Sequence, residues 1–304
     1  MSAQLQDQPT GRVIFDEPAE VYHRRALDEV SNSGMKVIDT RSPAHFAHWV
    51  ADPEAGIETP ALRFGKALHC AVLEPHVFDR DYCILPAGAP DRPTAAMLNA
   101  KNPSPSSLAR QAWWSDWEAE HGGQIILTAG DFDRIRYMAD SARRNPITAG
   151  LIAGGRREVT LRWEEVVDLP DGRRVVLQCK ARVDNWLEEL AMFVDVKSTA
   201  DASPEAFGRS VASYRYHVQH CHYGEGAKAC GIPLDHFAFL AIESEPPYVC
   251  EPYIIDASAE ERGYQLRDRA MQKQAQCLAD GTWPGYSDGK TINSLTLPGW
   301  AFYD

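Results

Sequence analysis

The sequence predicts an α/β fold with a central mixed β-sheet flanked by helices. Three observations predict it. First, two long stretches of alternating apolar and polar residues flank the turn signal DLPDG. Second, a strand, a helix and another strand follow one another from Phe193. Third, helical segments with start signals lie on either side of this region. The chain has 304 residues, a length that one large domain can occupy with a sizeable core. We therefore expect a single domain over residues 1–304.

The segments before the sheet carry helix start and stop signals. RSPAHFAHWV begins with Ser42 as a cap followed by proline, and TPALRFGKALHCAVLEP predicts a helix from Pro60 to Leu73 that ends before Pro75. Thr128 precedes Asp131 by three residues, close to a capping box, and predicts another helix. Residues 86–107 are rich in Pro, Ala and Ser, so we expect a mobile loop there.

The second half of the chain alternates with the period of strands. EVTLRWEEV and RRVVLQCKARVDNWL flank the turn and predict a hairpin, and MFVDVKS predicts a third strand. Ser203 then caps a helix that the pattern continues without interruption to Cys230. HFAFLAIES and CEPYIID predict two further strands before a long final helix. The strand–helix–strand order predicts a crossover unit within a mixed sheet.

Composition narrows the class of protein. We find no apolar run of 18 residues and no signal-peptide pattern at the N-terminus, so we expect a cytoplasmic protein without a membrane span. The seven cysteines are scattered without a CxxC pair, which argues against a zinc ribbon and favours reduced, buried thiols. The net charge of −12 opposes nucleic-acid binding only weakly, because local patches matter more than totals.

Charged side chains occupy one face of each of two consecutive predicted strands. Alternation places Lys180, Arg182 and Asp184 on one face of the hairpin's second strand, and Asp195 and Lys197 on one face of the next. If the strands pair, the two carboxylates meet beside several cations. Such a pair suits Mg²⁺ or Mn²⁺, and Lys197 could orient a water or stabilise developing charge. The alternative is a surface ion pair on an edge strand.

Several motifs in the same order resemble a known nuclease family. Asp184, ten intervening residues and then Asp195-Val196-Lys197 resemble the PD-(D/E)xK nuclease core, with VD in place of PD. RFGKALHCAVLEP and YRYHVQHCHY resemble the Gly-x-x-x-His and Gln-x-x-x-Tyr helices of its RecB-type branch. Together with KARVDNW, DVKSTAD and TINSLTLPGWA, they are similar to the RecE-type nuclease domain, exodeoxyribonuclease VIII, from about Tyr22 to Trp300.

The resemblance implies a metal-dependent exonuclease that degrades one strand of linear duplex DNA, 5′ to 3′, from an end. It implies a Mg²⁺ cofactor with Mn²⁺ accepted, a single-strand annealing protein as partner, and a homo-oligomeric ring such as a tetramer. The implied catalytic residues are Asp184, Asp195, Lys197 and His69, and the implied metal ligands are His69, Asp184, Asp195 and Val196. Roles for Glu74 and Glu158 stay open at this point.

We also expect DNA contacts beside the metal site. Arg215, Gln219 and Tyr223 follow at i, i+4 and i+8 and would share one helix stripe. Lys180 and Arg182 share the strand face of Asp184. Lys180, Arg182 and Arg215 predict a basic track for the DNA backbone, and Gln219 and Tyr223 are expected to contact the DNA beside it.

Other functions remain open from the residues alone. His217 and Cys221, with His220 nearby, have spacing that a zinc site could use, although surface histidines are the commoner outcome. A non-catalytic DNA-end or recombinase-binding module could retain the fold, and an endonuclease could use the same metal chemistry. Digestion of linear and closed circular duplexes discriminates among these functions.

Overall fold

The computed structural model describes residues 10–52, 59–287 and 292–302. Nine strands are described: β1 Arg12–Ile14, β2 Glu29–Val30, β3 Tyr82–Ile84, β4 Ile125–Leu127, β5 Arg156–Asp168, β6 Arg174–Leu187, β7 Met192–Thr199, β8 His236–Glu243 and β9 Cys250–Tyr253. Seven of them form a mixed sheet in the order β1-β5-β6-β7-β8-β9, with β2 pairing with β6. The other two, β3 and β4, pair separately and in parallel.

Helices surround this sheet. They are α1 Ala19–Tyr22, α2 Asn32–Thr40, α3 Pro43–Ala51, α4 Pro60–Leu73, α5 Pro75–Asp81, α6 Ala95–Leu98, α7 Pro105–His121, α8 Ala129–Arg144, α9 Pro146–Ile152, α10 Pro204–Tyr214, α11 Tyr216–Ala229 and α12 Ala257–Asp280, with short 3₁₀ turns at Glu188–Leu190 and Gly299–Phe302. The predicted α/β class with a mixed sheet flanked by helices is confirmed. No helix within the described ranges is both long and apolar enough to cross a bilayer.

The predicted hairpin and crossover are both present. β5 and β6 pair antiparallel from Asp168 opposite Arg174 at the turn. β7 and β8 pair in parallel over their full length, and α10 and α11 connect them. Two apolar clusters fill the two faces of the sheet. Phe193 belongs to the cluster under α2, α11 and α12, whereas its neighbour Val194 belongs to the cluster under α4 and α8.

Capping residues place several helices as predicted. Ser42 accepts a hydrogen bond from the His45 N–H with proline at the first helical position. The α4 helix runs from Pro60 to Leu73 with Thr59 as its cap. Thr128 accepts from the Asp131 N–H at 3.1 Å and its hydroxyl donates to the Asp131 carboxylate at 2.8 Å. Each cap satisfies an N–H group that the first helical turn leaves without an intrahelical partner.

The prediction of one uninterrupted helix after Ser203 is wrong. Arg215 adopts the left-handed conformation, with φ of 64°, and separates α10 from α11. Neither glycine nor proline marks this break, so the usual sequence signals are missing. The Tyr214 and Tyr216 rings on either side of the break stack, with centroids 5.7 Å apart, and α11 packs on β5 and β6.

Residues 86–107 contain more regular structure than a loop. They include α6 and the start of α7. The Trp114 indole N–H donates to the carbonyls of Pro90 and Asp91, at 3.0 and 3.2 Å, and the Gln111 amide donates to the Met97 carbonyl at 3.0 Å. This segment therefore packs on α7, and its mobility stays a prediction.

Candidate metal centre

The two predicted carboxylates lie where β6 and β7 separate. The strands pair at only three positions, Asn185–Val194, Trp186–Phe193 and Leu187–Met192. The next pair in this register would be Asp184 and Asp195, but the ladder stops before them. The Val196 N–H instead donates to Asp184 Oδ2 at 3.0 Å. A side-chain carboxylate thus replaces the main-chain acceptor that a continued ladder would supply.

Asp184 contacts two further potential ligands. His69 Nδ1, from α4, lies 3.1 Å from Asp184 Oδ2. One ligand atom each from His69, Glu158 and Asp184 lie within 4.8 Å of one another, and within the described ranges this is the single such group of three or more His, Cys, Asp or Glu residues. An imidazole nitrogen with carboxylate oxygens is a donor set that Mn²⁺ and Mg²⁺ accept.

Asp195 approaches the same place from the other side and has its own partners. Its Oδ1 forms an ion pair with the Lys197 ammonium, and its Oδ2 accepts a hydrogen bond from the Gln219 amide of α11. The Lys197 Nζ lies 4.6 Å from the centre of the Tyr216 ring. Asp195 does not belong to the His69 group, but its charge is close enough to act on Asp184.

The electrostatics of the pair favour a bound cation. Burial, and next the charge of Asp195, raise the pKa of Asp184 to about 7. Burial also raises the pKa of Glu158, although its side chain is about half exposed. Desolvation alone would lower the pKa of Lys197, but Asp195 and Asp184 outweigh it and raise that pKa. It is unfavourable for two neighbouring, desolvated carboxyl groups both to be ionised unless a cation neutralises their charge.

The positions of His69, Asp184 and Glu158 fit a divalent cation, and Asp195 lies beside them with Lys197 and Gln219 as its partners. Val196 was also predicted as a ligand. Its side chain is fully buried in the apolar cluster, and only its main chain reaches the site. Glu74 stands at the junction between α4 and α5 and lies outside the ligand group.

Glu158 is the residue that sequence reasoning undervalued. Its backbone is left-handed, with φ of 51°, and it stands between the pairs Arg157–Asn185 and Val159–Val183. The hairpin turn could have located it. Counting back in register from the pair Asp168–Arg174 places Glu158 opposite Asp184.

Two of the predicted DNA contacts are occupied within the fold. Lys180 is almost fully buried and donates to Glu29 Oε2 at 2.6 Å and to the carbonyls of Tyr22 and Arg24. The Arg182 guanidinium lies 4.1 Å from the centre of the Tyr22 ring. Lys180 therefore cannot reach a phosphate in this structure, and the basic track does not include it.

The predicted helix stripe is also divided. Gln219 faces Asp195, and Tyr223 is buried in the core, where burial raises the pKa of its phenol. Arg215 stands apart at the helix junction, with Nη2 3.7 Å from Asp39 Oδ2. The helix break explains this outcome, because the i, i+4, i+8 relation holds only within one helix.

The alternative zinc set does not assemble. His217 Nδ1 contacts the Val211 carbonyl, the Cys221 thiol donates to the Glu260 carbonyl, and His220 lies 3.6 Å from the Glu260 carboxylate. Within the part of the chain that the structure describes, these residues do not form a ligand group.

A family model matches residues 31–294, described as a PDDEXK-like domain of unknown function (DUF3799). The chain belongs to this family. The matched range contains His69, Glu158, Asp184, Asp195 and Lys197. The predicted PD-(D/E)xK superfamily is thereby confirmed at the level of fold and family.

The PDDEXK-like chain is also similar to a solved structure. The crystal structure of a protein from Eubacterium rectale, described as a "putative exonuclease", matches with a TM-score of 0.55 and 12% identity, over 95% of this chain and 98% of the other. At this identity the match supports the fold alone. No curated protein matches the chain. In the PDDEXK-like core, the acids of β6 and β7 and the histidine of α4 therefore form the candidate centre.

Proposed function

We propose that this chain is a divalent-metal-dependent nuclease that cleaves DNA. The observation that carries the proposal is the place where β6 and β7 separate, which brings Asp184 and Asp195 together beside His69 and Lys197. A purely structural ion pair would not need two neighbouring buried carboxylates, one of which, Asp184, has a pKa raised to about 7 by burial and next by the charge of Asp195.

The side chains have distinct proposed roles. His69, Asp184 and Asp195 would hold the cation, with Glu158 as an outer carboxylate. When bound, such a cation polarises a phosphoryl oxygen and lowers the pKa of a water. Gln219 fixes Asp195 through Oδ2, and the Val196 N–H fixes Asp184. Lys197 carries a charged ammonium at neutral pH, because its pKa is raised, and it would orient the attacking water or stabilise the developing negative charge.

We propose further that the nuclease is a RecE-like exonuclease. It would digest one strand of linear duplex DNA from 5′ to 3′ and leave a 3′ strand for an annealing protein, working as a homo-oligomeric ring. The support is the order of the motifs, from the helix of His69 through Asp184 and Asp195 to the helix of Gln219.

The test is digestion of end-labelled linear duplex and closed circular duplex with Mg²⁺, Mn²⁺ or EDTA. We expect metal-dependent loss of the linear substrate, release of the 5′ label first, and an intact circle. Asp184→Ala and Asp195→Ala should abolish digestion, because each removes an oxygen donor to the cation.

The alternatives give different results in the same assay. Cutting of the closed circle would identify an endonuclease. Binding of DNA ends without digestion under any metal would identify a binding module and overturn the proposal. Arg174→Gln serves as a matched control, since Arg174 pairs with Asp168 at the exposed hairpin turn, far from the acids.

A further inference from the structure

Three cations contact one carboxylate near the α10–α11 junction, and a fourth lies beside them. Arg269 binds Asp39 through two hydrogen bonds, from Nε and Nη2, at 2.7 and 2.8 Å. Lys273 Nζ lies 3.5 Å from Asp39 Oδ1, and Arg215 Nη2 lies 3.7 Å from Oδ2. Lys36 stands one helical turn before Asp39 on α2. Burial, and next the charge of Arg215, lower the pKa of Lys36. We call these four cations, Lys36, Arg215, Arg269 and Lys273, the Asp39 patch.

One acid is too little to neutralise this group. Arg269 alone satisfies both oxygens of Asp39, which leaves the other three cations with an excess of positive charge. Arg269 and Lys273 remain about 46% and 40% exposed. Like charges held together repel one another, and in a chain of net charge −12 their concentration in one place indicates an anionic ligand.

The patch is joined to the metal centre by direct contacts. Lys197, which pairs with Asp195, lies over the Tyr216 ring, and Tyr216 stacks on Tyr214. The Lys36 ammonium lies 4.9 Å from the centre of the Tyr214 ring. A chain of side chains thus leads from the acids to the patch, and Tyr214, at 53% exposure, forms the surface between them.

We propose that the Asp39 patch binds consecutive phosphates of the DNA strand that leads away from the metal centre. The inference rests on the proposed nuclease function, and it replaces the buried Lys180 with a different set of cations. Phosphates are the ligand that matches several cations spread along a surface, because a polynucleotide presents one negative charge per nucleotide on each strand.

Lys36→Gln combined with Lys273→Gln tests the patch without breaking its support. Both changes keep the Arg269–Asp39 pair, so the variant should fold with an unchanged thermal midpoint. Binding is measured by fluorescence anisotropy in EDTA, with a labelled 20-nucleotide single strand and a blunt 20-base-pair duplex. Because EDTA prevents metal-dependent cleavage, binding is measured independently of nuclease activity.

We expect the double variant to bind about tenfold more weakly at moderate salt, with a salt slope reduced by about one unit for each lost contact. A loss confined to the single strand assigns the patch to a separated strand, and an equal loss on the duplex assigns it to the duplex backbone. The control Arg144→Gln should bind as the parent does, since Arg144 is exposed on α8, which packs on the opposite face of the sheet from α2 and α12.

Unchanged binding of both DNAs by the double variant would overturn the proposal, as would an equal loss in Arg144→Gln. A parent protein that binds neither DNA would overturn it as well. A parent that binds through the patch but never cleaves would retain the inference and refute the nuclease function.

Discussion

Asp184 shows how a single buried carboxyl group weakens a fold and serves a site. Its folded pKa of about 7 lies above the ordinary 3.8, so the folded protein holds a proton that the unfolded chain releases between these values. The unfolding free energy should therefore fall as pH rises from 4 to 7, by about 1.4 kcal/mol per unit at most.

Asp184→Asn should remove this loss of stability. We expect parent and variant to have similar stability near pH 4 in EDTA, and the variant to be more stable at pH 8. Urea unfolding across this pH range measures the difference, with Asp268→Asn as an exposed control. Parallel profiles for parent and Asp184→Asn would contradict the assignment of the raised pKa.

Lys197 offers a second test at the residue scale. Lys197→Ala should reduce single-turnover cleavage by about 10²–10³-fold while changing DNA affinity little, because its charge acts on the reacting groups. Lys197→Arg should not restore the rate, since a planar guanidinium cannot replace a compact ammonium beside Asp195. Quench-flow cleavage and anisotropy separate the two quantities. A large affinity loss with normal chemistry would argue against the proposed role.

The residues with charged chemistry could be predicted, but not all of their partners. The spacing of Asp184, Asp195 and Lys197 points to adjacent strands, and the structure places them together. Lys180 has the same strand phase as Asp184, yet Glu29 and two carbonyls bury it. The alternation of side chains along a strand predicts which face of the sheet a residue lies on, but not which segment covers that face. Glu29, which pairs with Lys180, lies more than 150 positions earlier in the chain.

At the scale of elements, buried ion pairs attach the segment from β1 to β2 to both β5 and β6. Lys180 meets Glu29, and Arg162 meets Glu17 and Glu29. Lys180→Ala should therefore destabilise the fold by roughly 3 kcal/mol, since it leaves buried acceptors without a donor. Urea unfolding measures the loss. A stable variant with weakened DNA binding would instead restore Lys180 to the DNA-binding surface.

The junction at Arg215 provides another test at this scale. The left-handed conformation costs a residue with a side chain about 1 kcal/mol of conformational free energy, whereas glycine adopts it without this cost. We expect Arg215→Gly to be more stable than Arg215→Ala by about that amount, although both lose the contact with Asp39. Chemical unfolding of the matched pair measures this difference. Equal stabilities would indicate that α10 and α11 can merge when arginine is removed.

Helix boundaries with caps could be predicted from the sequence, and the break at Arg215 could not. Ser42, Thr59 and Thr128 act through local hydrogen bonds, so a few neighbouring residues determine them. The break coincides instead with long-range contacts of Tyr216 with Phe239 and of Gln219 with Asp195, which no local window of sequence contains.

At the scale of the whole molecule, one sheet serves both apolar clusters. Phe193 and Val194 are adjacent in β7 and belong to opposite clusters, and β8 contributes Phe239 and Leu240 in the same way. Loss of either cluster should therefore disrupt the other. We expect a single unfolding transition, with calorimetric and van't Hoff enthalpies in agreement. Two separated transitions would contradict the prediction of a single domain.

The early separation of β6 and β7 has a consequence for motion. The sheet has two parts, one formed by β1, β2, β5 and β6 and the other by β7, β8 and β9. Three residue pairs between β6 and β7 connect the two parts. Asp184 lies in the first part and Asp195 in the second. A cation bound by both residues would link the two parts of the sheet. Amide hydrogens far from the site, in β8 and β9, would therefore exchange more slowly with solvent when the cation is bound.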